Sequence, residues 1–116
     1  MMTRRLMSGF VMILFAAAAW AGPFITGTEA KKMVDEGALL LDVRTVEEFS
    51  ERHIEGAVNI PVQDLEKRLA EVGDKERPVV VYCRSGKRSE KAKEILSGAG
   101  WKKVENLGGI DNWDSE

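Results

Sequence analysis

The amino-acid sequence predicts an α/β domain, a doubly wound parallel sheet of about five strands with helices on both faces. Three observations carry that expectation. Two short apolar runs, Leu39-Leu40-Leu41 and Val79-Val80-Val81-Tyr82, lack the polar alternation of a half-wet strand, so they read as strands buried on both faces. Helix punctuation lies around them. Thr26 with Glu29 and Thr45 with Glu48 have the spacing of capping boxes, and Gly37, Gly73, Gly98 and Gly100 follow helical patterns. Strand and helix patterns then alternate along the chain, which calls for parallel pairing under helical cover.

Taken in order, Phe24 and Ile25 suit a short edge strand. The first capping box opens a helix through Ala30, Met33 and Val34 that stops at Gly37. Leu39 to Leu41 continues into Asp42-Val43-Arg44 as a central strand, and the second box opens a short helix with Phe49 turned inward. Arg52 to Pro61 reads as a turn and a short strand closed by proline. Asp64 suits the cap of a helix carrying Leu65, Leu69 and Val72. Pro78 leads the next strand from its first position, where a missing N–H does least harm. A helix follows Ser89, with Ala92, Ile95 and Leu96 on one stripe. Trp101 and Val104 to Leu107 supply the last strand, and Gly108 to Trp113 turns into a closing half-helix.

Ligands in such sheets bind beyond the carboxyl ends of the strands, and there the sequence places the chain's single cysteine. Cys83 leaves the Val79–Tyr82 strand into Arg84-Ser85-Gly86-Lys87-Arg88-Ser89. A loop entering a helix N-terminus aims several backbone N–H groups at one point, where the helix dipole adds positive potential. Arg84, Lys87 and Arg88 add three cations. This surrounding is expected to lower the thiol pKa and favour the nucleophilic thiolate, and to hold an anionic substrate. Gly86 lets the loop curl through positive φ. A lone cysteine at a strand end is ordinarily a small buried hydrophobe; the coincidence of strand end, glycine and basic cluster points to chemistry instead.

Tyr-Cys-Arg-Ser-Gly-Lys-Arg-Ser at 82–89 resembles the active-site loop of single-domain rhodaneses, the thiosulfate sulfurtransferase family. Leu-Leu-Asp-Val-Arg-Thr-Val-Glu-Glu-Phe at 40–49 and Arg-His-Ile-Glu-Gly-Ala-Val-Asn-Ile-Pro at 52–61 resemble two further signatures, and Asn106 to Trp113 matches the family's ending. Glu55 stands where the family often has Pro. The resemblance implies a rhodanese-like fold in one catalytic domain, and a sulfane sulfur carried on Cys83 as a persulfide. It implies substrate binding by Arg84, Ser85, Gly86, Lys87 and Arg88, no cofactor, and supporting places for Asp42, Arg44 and Ser89. Asp42 is expected to be structural, and Arg44 either helps the pocket or completes a scaffold ion pair. Four residues separate Cys83 from Arg88; phosphatases and arsenate reductases of this fold have five, so the count favours sulfur over phosphate.

The chain's 116 residues allow one domain. A net charge of -2 argues against a nucleic-acid surface. The N-terminus differs in kind: Arg4 and Arg5 precede Leu6 to Ala21, 16 residues without a charge. That is short of the ~20 residues of a membrane-spanning helix. With Ala19-Trp20-Ala21 at its end it reads as a signal peptide over residues 1–21, cleaved before Gly22; the alternative is an uncleaved membrane anchor. Residues 22–116 would then form one periplasmic or secreted domain, touching membrane only through that segment. Without a second cysteine, Cys83 cannot form an intramolecular disulfide in an oxidising compartment. One Cys and one His cannot complete a zinc shell. His53, the only histidine, reads as satisfied by turn backbone, and Trp101 and Trp113 as packing.

The expected activity is transfer of sulfur from a small anionic donor (thiosulfate, a persulfide or polysulfide) through Cys83 to a thiol or cyanide. The alternatives are a sulfur carrier without turnover and a phosphatase or arsenate reductase of the same fold.

Overall fold

The structure, a computed structural model, describes residues 24–116; the segment read as a signal peptide lies outside them. Helix α1 (Gly27–Asp35) opens on a capping box, Thr26 Oγ1 accepting from the Glu29 N–H at 3.1 Å and Glu29 Oε1 from the Thr26 N–H at 2.8 Å. Helix α2 (Val46–Glu51) opens the same way on Thr45 and Glu48. Two helix starts are thus set by local chemistry alone.

The sheet is parallel throughout, in the order β2-β1-β3-β4, with β1 (Leu39–Asp42), β2 (Val58–Asn59), β3 (Val79–Cys83) and β4 (Val104–Gly109). Its winding reverses between β1 and β3, the place where such sheets open a crevice at their carboxyl edge. Side chains alternate across the pleat. Leu39, Leu41, Val79, Val81 and Cys83 enter one core layer with Ala92 and Leu96 of helix α3 (Lys87–Gly98). Leu40, Val80 and Tyr82 enter the other with Ala30 of α1 and Ile110 of the last turn. Both layers are dry, so the strand sequences carry no polar alternation.

Four details depart from the sequence reading. Among the described residues the sheet has four strands where about five were expected: the Ile25 N–H donates to the Asn106 carbonyl at 2.9 Å, but one bond makes no ladder. Asp64 caps nothing. It lies inside a 3₁₀ helix (Val62–Lys67), and a second one (Leu69–Glu71) follows across Arg68. The apolar spacing explains it, since Val62 with Leu65 and Leu69 with Val72 are three apart, which suits three residues per turn. Helix α3 begins at Lys87, before Ser89 rather than after it, and β4 runs on to Gly109 through an irregularity opposite Val81 and Tyr82.

The closing 3₁₀ helix (Ile110–Asp114) packs against the start of α1. The Gly27 N–H donates to Ser115 Oγ at 3.0 Å.

Candidate active site

Cys83 ends β3 and is completely buried. The sequence places the thiol at the start of a tightly curled loop, and in the structure the sulfur forms the floor beneath that loop. Sγ lies 3.0 Å from the Gly86 N–H, 3.4 Å from the Ser89 N–H and 3.3 Å from Ser89 Oγ. Gly86 is the residue before α3, at φ +108°. Because α3 starts there, Ser89 belongs to its first turn and its free N–H points back at the sulfur. Burial alone would raise the thiol pKa. The Ser89 hydroxyl and the amides of Ser89, Gly86 and Ser85 outweigh it, and the pKa lies below its ordinary value. The expected direction holds, carried chiefly by the amide nest and Ser89. Ser89 is itself fully buried and touches the sulfur directly.

Around this floor the basic residues part company. Arg84, Ser85 and Lys87 are exposed. Lys87 stands in the first turn of α3, where a cation opposes the dipole; that placement costs stability and so argues for a use. Arg88, expected to hold substrate oxygens, gives both Nη atoms to Glu48, at 2.7 and 3.0 Å. A bidentate pair fixes a guanidinium, so Arg88 ties α3 to α2. Glu48 is a residue the sequence reading used only as a cap. It serves both purposes, and the Arg88 bonds, opposed in part by burial, bring its pKa down to about 2.

Asp42 and Arg44 form the scaffold pair, both buried. Arg44 Nη2 donates to Asp42 Oδ2 at 2.6 Å and also to the Arg52 carbonyl. Arg44 still borders a cleft of about 240 Å³ beyond the strand ends, together with Glu48, Glu51, Arg52, Arg84 and Asp111. Arg52 and Asp111 make an ion pair on its wall. A hollow of about 340 Å³ around His53 and Trp113 shares that wall but includes no residue of the cysteine loop. His53 Nδ1 lies 2.9 Å from the Phe49 carbonyl, so it donates there, and its ring stacks on Phe49 at 3.8 Å. Trp101 is buried in the core beneath Lys75, and Trp113 is partly covered under Lys31.

Three supports escaped the sequence reading. Asn106, fully buried in β4, donates from Nδ2 to the Gly86 carbonyl at 3.4 Å and to Glu90 Oε1 at 3.1 Å, and accepts the Gly108 N–H at 2.8 Å. A polar side chain inside an apolar strand was the available signal. Phe24 lies over Gly86, so closely that a Cβ there would collide with its ring. Gly109 likewise meets the Arg84 carbonyl and leaves no room for a side chain. The loop is therefore braced from several sides.

Comparison with known proteins agrees with this geometry. The family model of the rhodanese-like domain matches residues 26–116. The chain is 46% identical over 71 residues to the thiosulfate sulfurtransferase PspE of Escherichia coli (strain K12), covering 60% of this chain and 68% of that protein. It is 40% identical over 80 residues to the putative sulfur carrier protein YrkF of Bacillus subtilis (strain 168), covering 68% of this chain but only 43% of that one. Among solved structures, a rhodanese from E. coli with anions superposes with a TM-score of 0.64 at 41% identity, over 69% of this chain and 95% of that one. The human single-domain sulfurtransferase TSTD1 does so with a TM-score of 0.71 at 30% identity, over 80% and 96%. Matched along its sheet, its braced cysteine loop and its closing turn, this chain belongs to the rhodanese family.

Proposed function

We propose that the protein is an exported thiosulfate sulfurtransferase working through a persulfide on Cys83. The observation that carries the reading is the ring of donors on one buried sulfur, the Gly86 and Ser89 amides and the Ser89 hydroxyl. Such a nest favours an anion at Sγ before and after sulfur is taken up. In the first half-reaction the Cys83 thiolate attacks the sulfane sulfur of thiosulfate. A new S–S bond forms, the bond to the sulfonate sulfur breaks, and sulfite leaves with that electron pair. Arg84 and Lys87, exposed beside the loop, receive the sulfonate oxygens. In the second half-reaction a thiol or cyanide attacks the outer sulfur and Cys83 thiolate is released. This is covalent ping-pong catalysis and asks for no cofactor. The four-residue spacing from Cys83 to Arg88 supports sulfur chemistry over a phosphatase or arsenate reductase.

A second reading, a carrier that accepts sulfur from a partner and turns over thiosulfate poorly, is favoured by the complete burial of Cys83. Thiocyanate formation from thiosulfate and cyanide decides between them. The enzyme reading expects turnover lost in Cys83→Ser, and wild-type rates no higher than that control would overturn it. Export rests on the charge-free stretch ending in Ala19-Trp20-Ala21. It expects a mature protein beginning at Gly22 in an extracytoplasmic fraction, and an intact N-terminus there would mean an anchor instead.

A further inference from the structure

The cleft beside the cysteine loop has a charge pattern that a simple anion does not use. Arg44 is engaged by Asp42, Glu48 by Arg88, and Arg52 by Asp111. Two charged lining side chains remain, Arg84 and Glu51, both exposed and neither making an ion pair among the described residues. One cation stands next in sequence to the reactive sulfur; one anion stands at the last residue of α2. A carboxylate there would repel thiosulfate or sulfite, so donor binding does not account for it. The space, about 240 Å³, is below the ~300–1,000 Å³ of drug-sized ligand sites, which suits a molecule of amino-acid size.

We infer that this cleft binds the sulfur acceptor, and that the acceptor is a small zwitterionic thiol of the α-amino-acid type. Arg84 takes its carboxylate and Glu51 its ammonium group. The inference rests on the sulfurtransferase reading and names the substrate of its second half-reaction. Atoms and charge balance without a further reactant. The acceptor thiolate attacks the outer sulfur of the Cys83 persulfide, a new S–S bond forms, and the Cys83 S–S bond breaks. Its electron pair returns to Cys83 as thiolate, and the acceptor leaves as a persulfide. Arg52 and Asp111, already paired, form the wall that limits the acceptor's size.

The test uses the full chain with Cys83 preloaded with sulfur, followed in single turnover by loss of the sulfur's mass. Five acceptors are compared: cysteine, 3-mercaptopropionate (no ammonium), cysteamine (no carboxylate), a protein dithiol and cyanide. Thiol rates are referred to thiolate concentration and corrected for basicity with a Brønsted slope of about 0.4–0.5. Cysteine is expected to exceed each truncated thiol by about fivefold or more, the value of one charge-assisted contact at an open site. Glu51→Gln should bring cysteine down towards 3-mercaptopropionate while leaving the latter no slower, and Arg84→Gln should bring it towards cysteamine. Three thiols within twofold of one another, with cyanide clearing the sulfur normally, would overturn this inference and leave the sulfurtransferase standing. So would faster clearance by a protein dithiol than by any small thiol. If the sulfur never loads, or cyanide cannot remove it, both readings fall together.

Discussion

Ser89 has one proton and two acceptors for it. Its Oγ lies 3.1 Å from the Gly86 carbonyl and 3.3 Å from Cys83 Sγ. While the thiol is neutral its S–H can donate to Oγ, and the hydroxyl to Gly86. After ionisation the hydroxyl turns to the sulfur, and the Gly86 carbonyl keeps the Glu90 N–H at 3.0 Å. Both protonation states are thus satisfied in a buried place, where an unmade hydrogen bond is costly. Ser89→Ala keeps the backbone donor but removes this bond, so the thiol pKa should rise. The pH profile of alkylation is expected to move to higher pH, with neutral-pH reactivity falling about fivefold for a loss of about 1 kcal/mol; an unmoved profile would assign the stabilisation to the amides alone. Glu48 gives a second titration. Its folded pKa is depressed, so the stability it contributes is present above 4.5, its unfolded value, and is lost as pH falls towards about 2. The pair is partly exposed, which limits it to about 1 kcal/mol. Glu48→Gln should therefore melt about 4–8 °C lower than wild type at neutral pH, the gap closing by pH 2 in thermal melts.

Between β3 and α3 the chain turns on Gly86, at φ +108° under the ring of Phe24. Gly56 has φ +91° with open space around its Cβ position, so it isolates the backbone strain, of order 1–3 kcal/mol. Gly86→Ala is expected to destabilise more than Gly56→Ala in denaturant titrations, and it alone should abolish sulfur loading, because it displaces an N–H bonded to Sγ. Much at this scale was legible in advance. Capping boxes at Thr26 and Thr45 are local chemistry, and uninterrupted runs such as Val79–Tyr82 leave few options besides a doubly covered strand. What escaped depended on tertiary contact. Phe24 and Ile25 looked like a strand, yet the side chain of Phe24 is spent on Gly86 and Gly108. Lys87 to Ser89 looked like loop because basic residues are poor helix starters. The pairing of Arg88 with Glu48 joins residues 40 apart, and no pattern along the chain announces it.

Across the whole molecule, Asn106 joins β4, the cysteine loop and α3 through one side chain, and its backbone carbonyl holds Ile25. Asn106→Ala would leave the buried Gly108 N–H without its acceptor, a cost of about 1–3 kcal/mol. Denaturation should show that loss together with slower sulfur loading; a loss of stability with loading intact would make Asn106 a scaffold residue only. The docking of Gly27 on Ser115 reaches further. Since the domain's entry and exit lie side by side on the layer opposite α3, the unit is shaped like a cassette. A host protein could splice it into a surface loop with little distortion of the host, provided the incoming chain leaves Phe24 seated on Gly86. A relative in which the matching stretch fills only 43% of the chain has the proportions such modularity permits.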